Sequence, residues 1–233
     1  MPCKQNRLRV DGNGRAFAGS QRQIQSWVNL NPGSFSSAIL GQLNSAPSGA
    51  SLQWVSPLES NHYDEYNDGD FLRALGLGSR IRELTAFWPH NGPCWDALAV
   101  MTDGDDTRFH GVVIVEAKSH PREMRSSCCK AIEGNRKRIE SALSATKSWL
   151  GVLDGVGWTG DLYQYANRLA HLFLFRNVLG LDAWLVNVYF LNDPHSPTGH
   201  DRWIEEIELL KRAAGIPSSI PCVSDLLIEA HPE

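Results

Sequence analysis

The sequence predicts an α/β fold in which helices flank a mixed central sheet, a three-strand meander plus one or two further strands. Residues 94–101 and 111–118 are apolar runs of strand length, separated by a polar loop at 102–110 that carries Asp103, Gly104, Asp105 and Asp106. A third run of strand-forming residues, 183–191, contains Trp184, Leu185, Val186, Val188, Tyr189 and Phe190. The segments between these runs have helical spacing, and helices on both sides of a strand set describe a sheet covered on both faces.

The elements follow in order. Residues 1–18 are polar and glycine-bearing and read as a lead-in. Helices are expected at 21–30, stopped by Asn31-Pro32-Gly33, and at 34–43. The Ser, Pro, Gly and Ala residues of 44–51 form a connector, which divides an N-terminal helical appendage (1–50) from the main domain (51–233). Residues 52–58 suit a short edge segment and 62–77 a helix that carries Glu65 early on. Residues 80–88, with Ile81, Leu84, Ala86 and Trp88 before Pro89, suit the first strand of the meander. A long polar helix is expected over 121–150, a buried one over 163–179 closed by Gly180, an amphipathic one over 201–214 and a last strand over 223–228.

Composition limits the function classes. Hydrophobic residues at 42% and charged residues at 21% are those of a soluble globular chain. No apolar run reaches the roughly 18 residues of a membrane span, and the N-terminus has no secretory pattern, so no membrane association and a cytoplasmic location are expected. The five cysteines fit no ligand spacing and read as reduced thiols. A net charge of -4 argues against nonspecific coating of nucleic acid. A local basic surplus nevertheless exists: Arg122, Arg125, Lys130, Arg136, Lys137, Arg138 and Lys147 outnumber Glu123, Glu133 and Glu140 over 121–150.

If the loop is symmetric about Asp106, Asp96 faces Glu116, Leu98 faces Ile114 and Val100 faces Val112, all on one face of the sheet, with Lys118 one pleat further on. Two carboxylates and an ammonium then share one end of an apolar face. Paired carboxylates suit a hard divalent ion, Mg²⁺ or Mn²⁺, together with phosphate oxygens. A neighbouring lysine can position or deprotonate water, and phosphodiester hydrolysis is the reaction this set suits.

In these residues the chain resembles the PD-(D/E)XK nuclease superfamily, with its restriction-endonuclease-like fold. Asp96 matches the family's lone aspartate and Glu116-Ala117-Lys118 its acidic-x-Lys triplet. The resemblance, which spans roughly residues 63–191, implies a metal-dependent nuclease that acts on nucleic acid, DNA in the first instance. Asp96 and Glu116 would bind metal, Lys118 would handle the water and Glu65, by position, would assist. Gln164 matches the glutamine of the family's Q-x-x-x-Y helix, but residue 168 is Arg rather than Tyr, and Pro93 is displaced from its usual place before the aspartate. Nucleic-acid contacts are expected from Arg122, Arg125, Lys130, Arg136, Lys137, Gln164 and Arg168. The alternatives are a noncatalytic nucleic-acid- or protein-binding module on the same fold, and a homodimer or a partner subunit of a larger system. No histidine pair has zinc-ligand spacing.

Overall fold

The computed structural model describes residues 3, 9–105, 108–126, 128–153 and 155–231. Its strands are β1 (Ala50–Ser56), β2 (Ala97–Asp103), β3 (Phe109–Lys118), β4 (Ala183–Leu191) and β5 (Val223–Glu229), paired in that order in one mixed sheet. The first three form an antiparallel meander, whereas β4 runs parallel to β3, and β5 parallel to β4. A parallel neighbour needs a long crossover. Helices α1 (Gly19–Leu30), α2 (Pro32–Gln42), α3 (Asp68–Ala74), α4 (Ile81–Phe87), α5 (Glu133–Leu150), α6 (Tyr163–Phe173) and α7 (His200–Ala214) complete the fold, with α5 and α6 supplying the crossover from β3 to β4.

The β2–β3 register is the one that symmetry about the loop predicts: Leu98 faces Ile114 and Val100 faces Val112. It slips by one beyond Met101, where Thr102 faces Phe109, so the irregularity lies at the loop end and leaves the Asp96 end in phase. The loop midpoint, Asp106, lies outside the described residues. From Gly111 to Ala117 every residue of β3 is buried, and the same holds for β4 from Ala183 to Phe190. Such continuous burial belongs to central strands covered on both faces. On one face Phe35 of α2 stacks on Trp54 of β1 with ring centroids 5.0 Å apart, and Ile24, Val28 and Ile39 belong to the same continuous core as Ala99 and Val113. On the other face lie α6 and α7, where Trp203 packs against Tyr189 at 4.9 Å.

Four expectations are corrected. The meander's first strand is Ala50–Ser56, and residues 80–88 instead contain α4, because Ile81, Leu84 and Trp88 recur at helical spacing and bury one side, with Leu84 and Trp88 in the core. The helix expected over 62–77 begins only at Asp68, since His62 and Tyr63 have left-handed backbone angles that a helix interior does not accommodate. Glu65 therefore sits on irregular chain. The expected helix over 121–150 is a 3₁₀ turn, Pro121–Met124, followed by extended chain and then α5. There the N–H groups of Ser126 and Cys129 donate to the carbonyls of Asp161 and Thr159, which pins the segment away from helix. Finally, Cys3 and Cys94 are joined in a disulfide, while Cys128, Cys129 and Cys222 are free thiols. No helix among the described residues is long and apolar enough to cross a membrane.

Gly111 marks where β3 and the chain entering β4 come closest. A Cβ there would lie 2.3 Å from the Asp182 carbonyl oxygen and 2.9 Å from the Trp184 ring. The obstruction includes backbone, which cannot rotate aside. Gly111→Ala is expected to destabilise the fold by about 2–3 kcal/mol, read as a thermal midpoint roughly 5–10 °C lower.

Candidate functional site

The site assembles where β2 begins and β3 ends. Continuing the register places Asp96 beside Glu116, and the Ala117 N–H donates to Asp96 Oδ2 at 2.7 Å, locking the aspartate to the neighbouring strand. Glu65 arrives by a different route. Tyr66 forms a single antiparallel bridge with Trp95, whose N–H donates to the Tyr66 carbonyl at 3.1 Å, so the residue before Tyr66 comes alongside the residues flanking Trp95. Gln21 of α1 donates to Glu65 Oε1 at 3.1 Å, and Glu65 Oε2 lies 3.6 Å from Cys94 Sγ. The N–H of Cys3 donates to the Glu65 carbonyl at 2.8 Å, so the disulfide joins this same corner.

Glu116 is only 5% exposed, and a carboxylate so enclosed must be neutralised or solvated by the protein. It is. Lys118 Nζ donates to Glu116 Oε1, and Gln164 Nε2 donates to the same oxygen at 2.9 Å. Arg168 Nε donates to Glu116 Oε2 at 2.5 Å. The rest of that guanidinium donates to the Cys94 carbonyl at 3.0 Å and Asn167 Oδ1 at 2.8 Å, and it lies 5.1 Å over the Trp95 ring. Gln164 and Arg168 reach one carboxylate together because residues four apart share a helix face. Arg168 is 5% exposed, so the structure makes it a partner of Glu116 rather than the phosphate contact expected from the sequence.

These placements separate the three carboxyls electrostatically. Burial pushes Glu116 up, but the charges of Arg168 and Lys118 and the bonds they make overcome it and hold the carboxyl below its ordinary range. Asp96 is pushed up to about 7 by burial and by the Glu116 charge, against the pull of Lys118. Glu65 is pushed up to about 8, again by burial first and then by Asp96. Glu116 is thus the carboxyl that its cations keep ionised, while Asp96 and Glu65 hold their protons more tightly. Among the described residues, no group of three or more His, Cys, Asp or Glu side chains is already gathered as a metal-ligand set. Glu116 has protein donors on both of its oxygens as it stands.

The other expected residues are dispersed. Arg122, Arg125 and Lys130 are exposed on the turn and extended chain after β3, and Arg136 and Lys137 are exposed on α5. Arg136 pairs with Glu140 and Lys137 with Glu133 one helical turn away, so two of these five cations are balanced locally. Sequence reasoning missed a polar row across the sheet: Glu116 is in register with Asn187, and Asn187 with Asp225. Asn187 Nδ2 donates to Asp225 Oδ1 at 3.0 Å, and Asp225 pairs with Lys211 at 2.5 Å. Its signal was one asparagine inside the apolar run 184–190.

No family model matches the chain, and no curated protein or solved structure gives a match to it.

The raised carboxyls set a pH dependence. Asp96 and Glu65 bind protons more tightly in the folded chain than in the unfolded one, where such groups titrate near 4, so between about pH 4 and pH 8 the folded state holds the extra protons and stability falls as pH rises. Asp96→Asn removes one of these charges. With a chelator present, its thermal midpoint relative to wild type should rise steadily across that window; a constant difference would contradict the charge coupling.

Proposed function

We propose that the chain is a metal-dependent nuclease that hydrolyses phosphodiester bonds of nucleic acid, DNA in the first instance, on a restriction-endonuclease-like fold. The observation that carries this reading is the convergence of Asp96, Glu116 and Lys118 at one end of two paired strands, with Glu65 brought in beside them from outside the sheet. The topology is compatible with it, since an antiparallel meander flanked by helices, with the carboxylate and the acidic-x-Lys triplet on adjacent strands, is the framework that the PD-(D/E)XK resemblance implies.

The donor set fits Mg²⁺ or Mn²⁺: hard carboxylate oxygens in a pocket where burial, and then the neighbouring carboxylates, raise Asp96 and Glu65. Asp96 and Glu116 would hold the ion, assisted by Glu65. Such an ion, when bound, supplies Lewis-acid polarisation of the phosphodiester and a more acidic water. The chain's own residues do the positioning. Arg168 and Gln164 keep Glu116 ionised and fixed, the Ala117 N–H fixes Asp96, and Lys118, the one of these cations at the rim of the cluster, orients the attacking water or offsets charge growing on the phosphate. Arg168 thus fills the place of the tyrosine in the Q-x-x-x-Y pattern with a clamp on the triplet glutamate. Arg122, Arg125 and Lys130, all exposed, would be the cations that meet backbone phosphates. A cytoplasmic setting belongs to this reading.

One observation favours a noncatalytic binding module instead: both Glu116 oxygens already have protein donors. Calorimetric titration with Mn²⁺ separates the two, since a binding signal lost in Glu116→Gln supports the enzyme and silence supports the module. For the enzyme, Lys118→Ala and Asp96→Ala should each lower cleavage of plasmid and oligonucleotide substrates by at least about 100-fold. Cleavage that persists in both variants, or no cleavage with either metal on any DNA or RNA, would reject the nuclease.

A further inference from the structure

The surface is hollowed beside the carboxylates in two places. One cavity, about 500 Å³, lies between Arg9, Phe17, the start of α1 and the turn holding Ser119 and His120. Gln21 lines it and donates to Glu65. The other, about 610 Å³, is lined by His90, Asn91, Lys130, Ile132, Tyr163 and Gln164, and Gln164 donates to Glu116. Each hollow thus borders the carboxylate cluster through a single amide side chain. Both volumes lie in the range of pockets that take one small-molecule-sized group.

The chemistry of the linings selects among nucleic acids. Each hollow presents one large apolar side chain to solvent: Phe17 is 60% exposed in the first and Ile132 77% exposed in the second. Fixed cations are few, Arg9 in one and Lys130 in the other, and the first also contains Glu123 and Asp193. A duplex keeps its bases stacked inside and offers rails of phosphate, which reward rows of Lys and Arg. These hollows lack such rows, and the α5 cations Arg136 and Lys137 are already paired. A single strand offers unpaired bases, whose faces stack on exposed rings, with only a few cations needed along its backbone.

We propose that the substrate is single-stranded nucleic acid, with one base stacked on Phe17 in the first hollow and another seated against Ile132 and Tyr163 in the second. The intervening backbone then passes over Asp96, Glu116 and Lys118. The proposal takes its ligand class from the nuclease reading but is tested by binding alone. Fluorescence anisotropy is measured in chelator, so that no cleavage occurs, with a labelled single-stranded DNA of mixed sequence and the same sequence as a duplex. Wild type should bind the single strand at least about tenfold more tightly than the duplex. Loss of one stacking partner should weaken single-strand binding by about 5- to 100-fold in Phe17→Ala, with Phe17→Trp restoring it. Ile132→Asp should weaken it as well, and duplex binding should not change in any variant. Equal or stronger binding of the duplex, no single-strand binding, or unchanged affinity in Phe17→Ala would overturn the proposal. Single-strand binding that obeys these expectations in a protein that never cleaves would remove the nuclease and leave the binding site standing.

Discussion

Burial of the Glu116 charge is the constraint on which the rest of the arrangement depends. The residue lies at the end of the central strand, with antiparallel β2 on one side and parallel β4 on the other, under α6. An ion in such a place costs several kcal/mol unless partners with good geometry surround it. Arg168, Gln164 and Lys118 provide them, and each comes with a structural requirement. The α6 helix must cross the sheet at that level with its 164/168 face inward. The same guanidinium also holds the Cys94 carbonyl, so the chain entering β2 is tied to the clamp and Asp96 is delivered beside Glu116. Fold and site are therefore coupled through one ion pair.

Where alternation governed, the sequence was legible. The β2–β3 register followed from two apolar runs set symmetrically about an acidic loop, and a slip of one residue would have put Asp96 on the opposite face from Glu116. The crossover strand β4 was legible as an apolar run, α6 and α7 from their helical spacing, and α1 and α2 from the Asn31-Pro32-Gly33 stop between them. The first meander strand was not. Residues 80–88 are short enough for both periods to fit, and the choice between them was settled by tertiary burial of Leu84 and Trp88. The stretch after Lys118 misled in another way. Its composition suits helix, but hydrogen bonds to Thr159 and Asp161, distant in sequence, hold it extended.

The site was legible in its carboxylates and lysine and not in what supports them. Arg168 looks in sequence like a surface cation that could meet phosphate; only the packing of α6 on the sheet makes it the clamp of Glu116. Glu65 was found by position although the helix expected to carry it is absent, because what brings it to Asp96 is the Tyr66–Trp95 bridge. The row from Glu116 through Asn187 to Asp225 and Lys211 links strands far apart in sequence and carries polar contacts from the buried centre to the protein surface. Cys3 and Cys94, separated by 91 residues, meet beside Glu65, which no spacing rule could foresee.

The central claim is that Asp96, Glu116 and Glu65 form one charge-coupled centre that takes a divalent ion. Anomalous diffraction from crystals soaked in Mn²⁺ tests it most directly, since it locates the ion independently of any substrate. The account predicts one strong peak at about 2.0–2.2 Å from carboxylate oxygens of Asp96 and Glu116 or Glu65, absent in Asp96→Asn crystals. Peaks only elsewhere on the surface, or a peak at this site that survives Asp96→Asn, would contradict it.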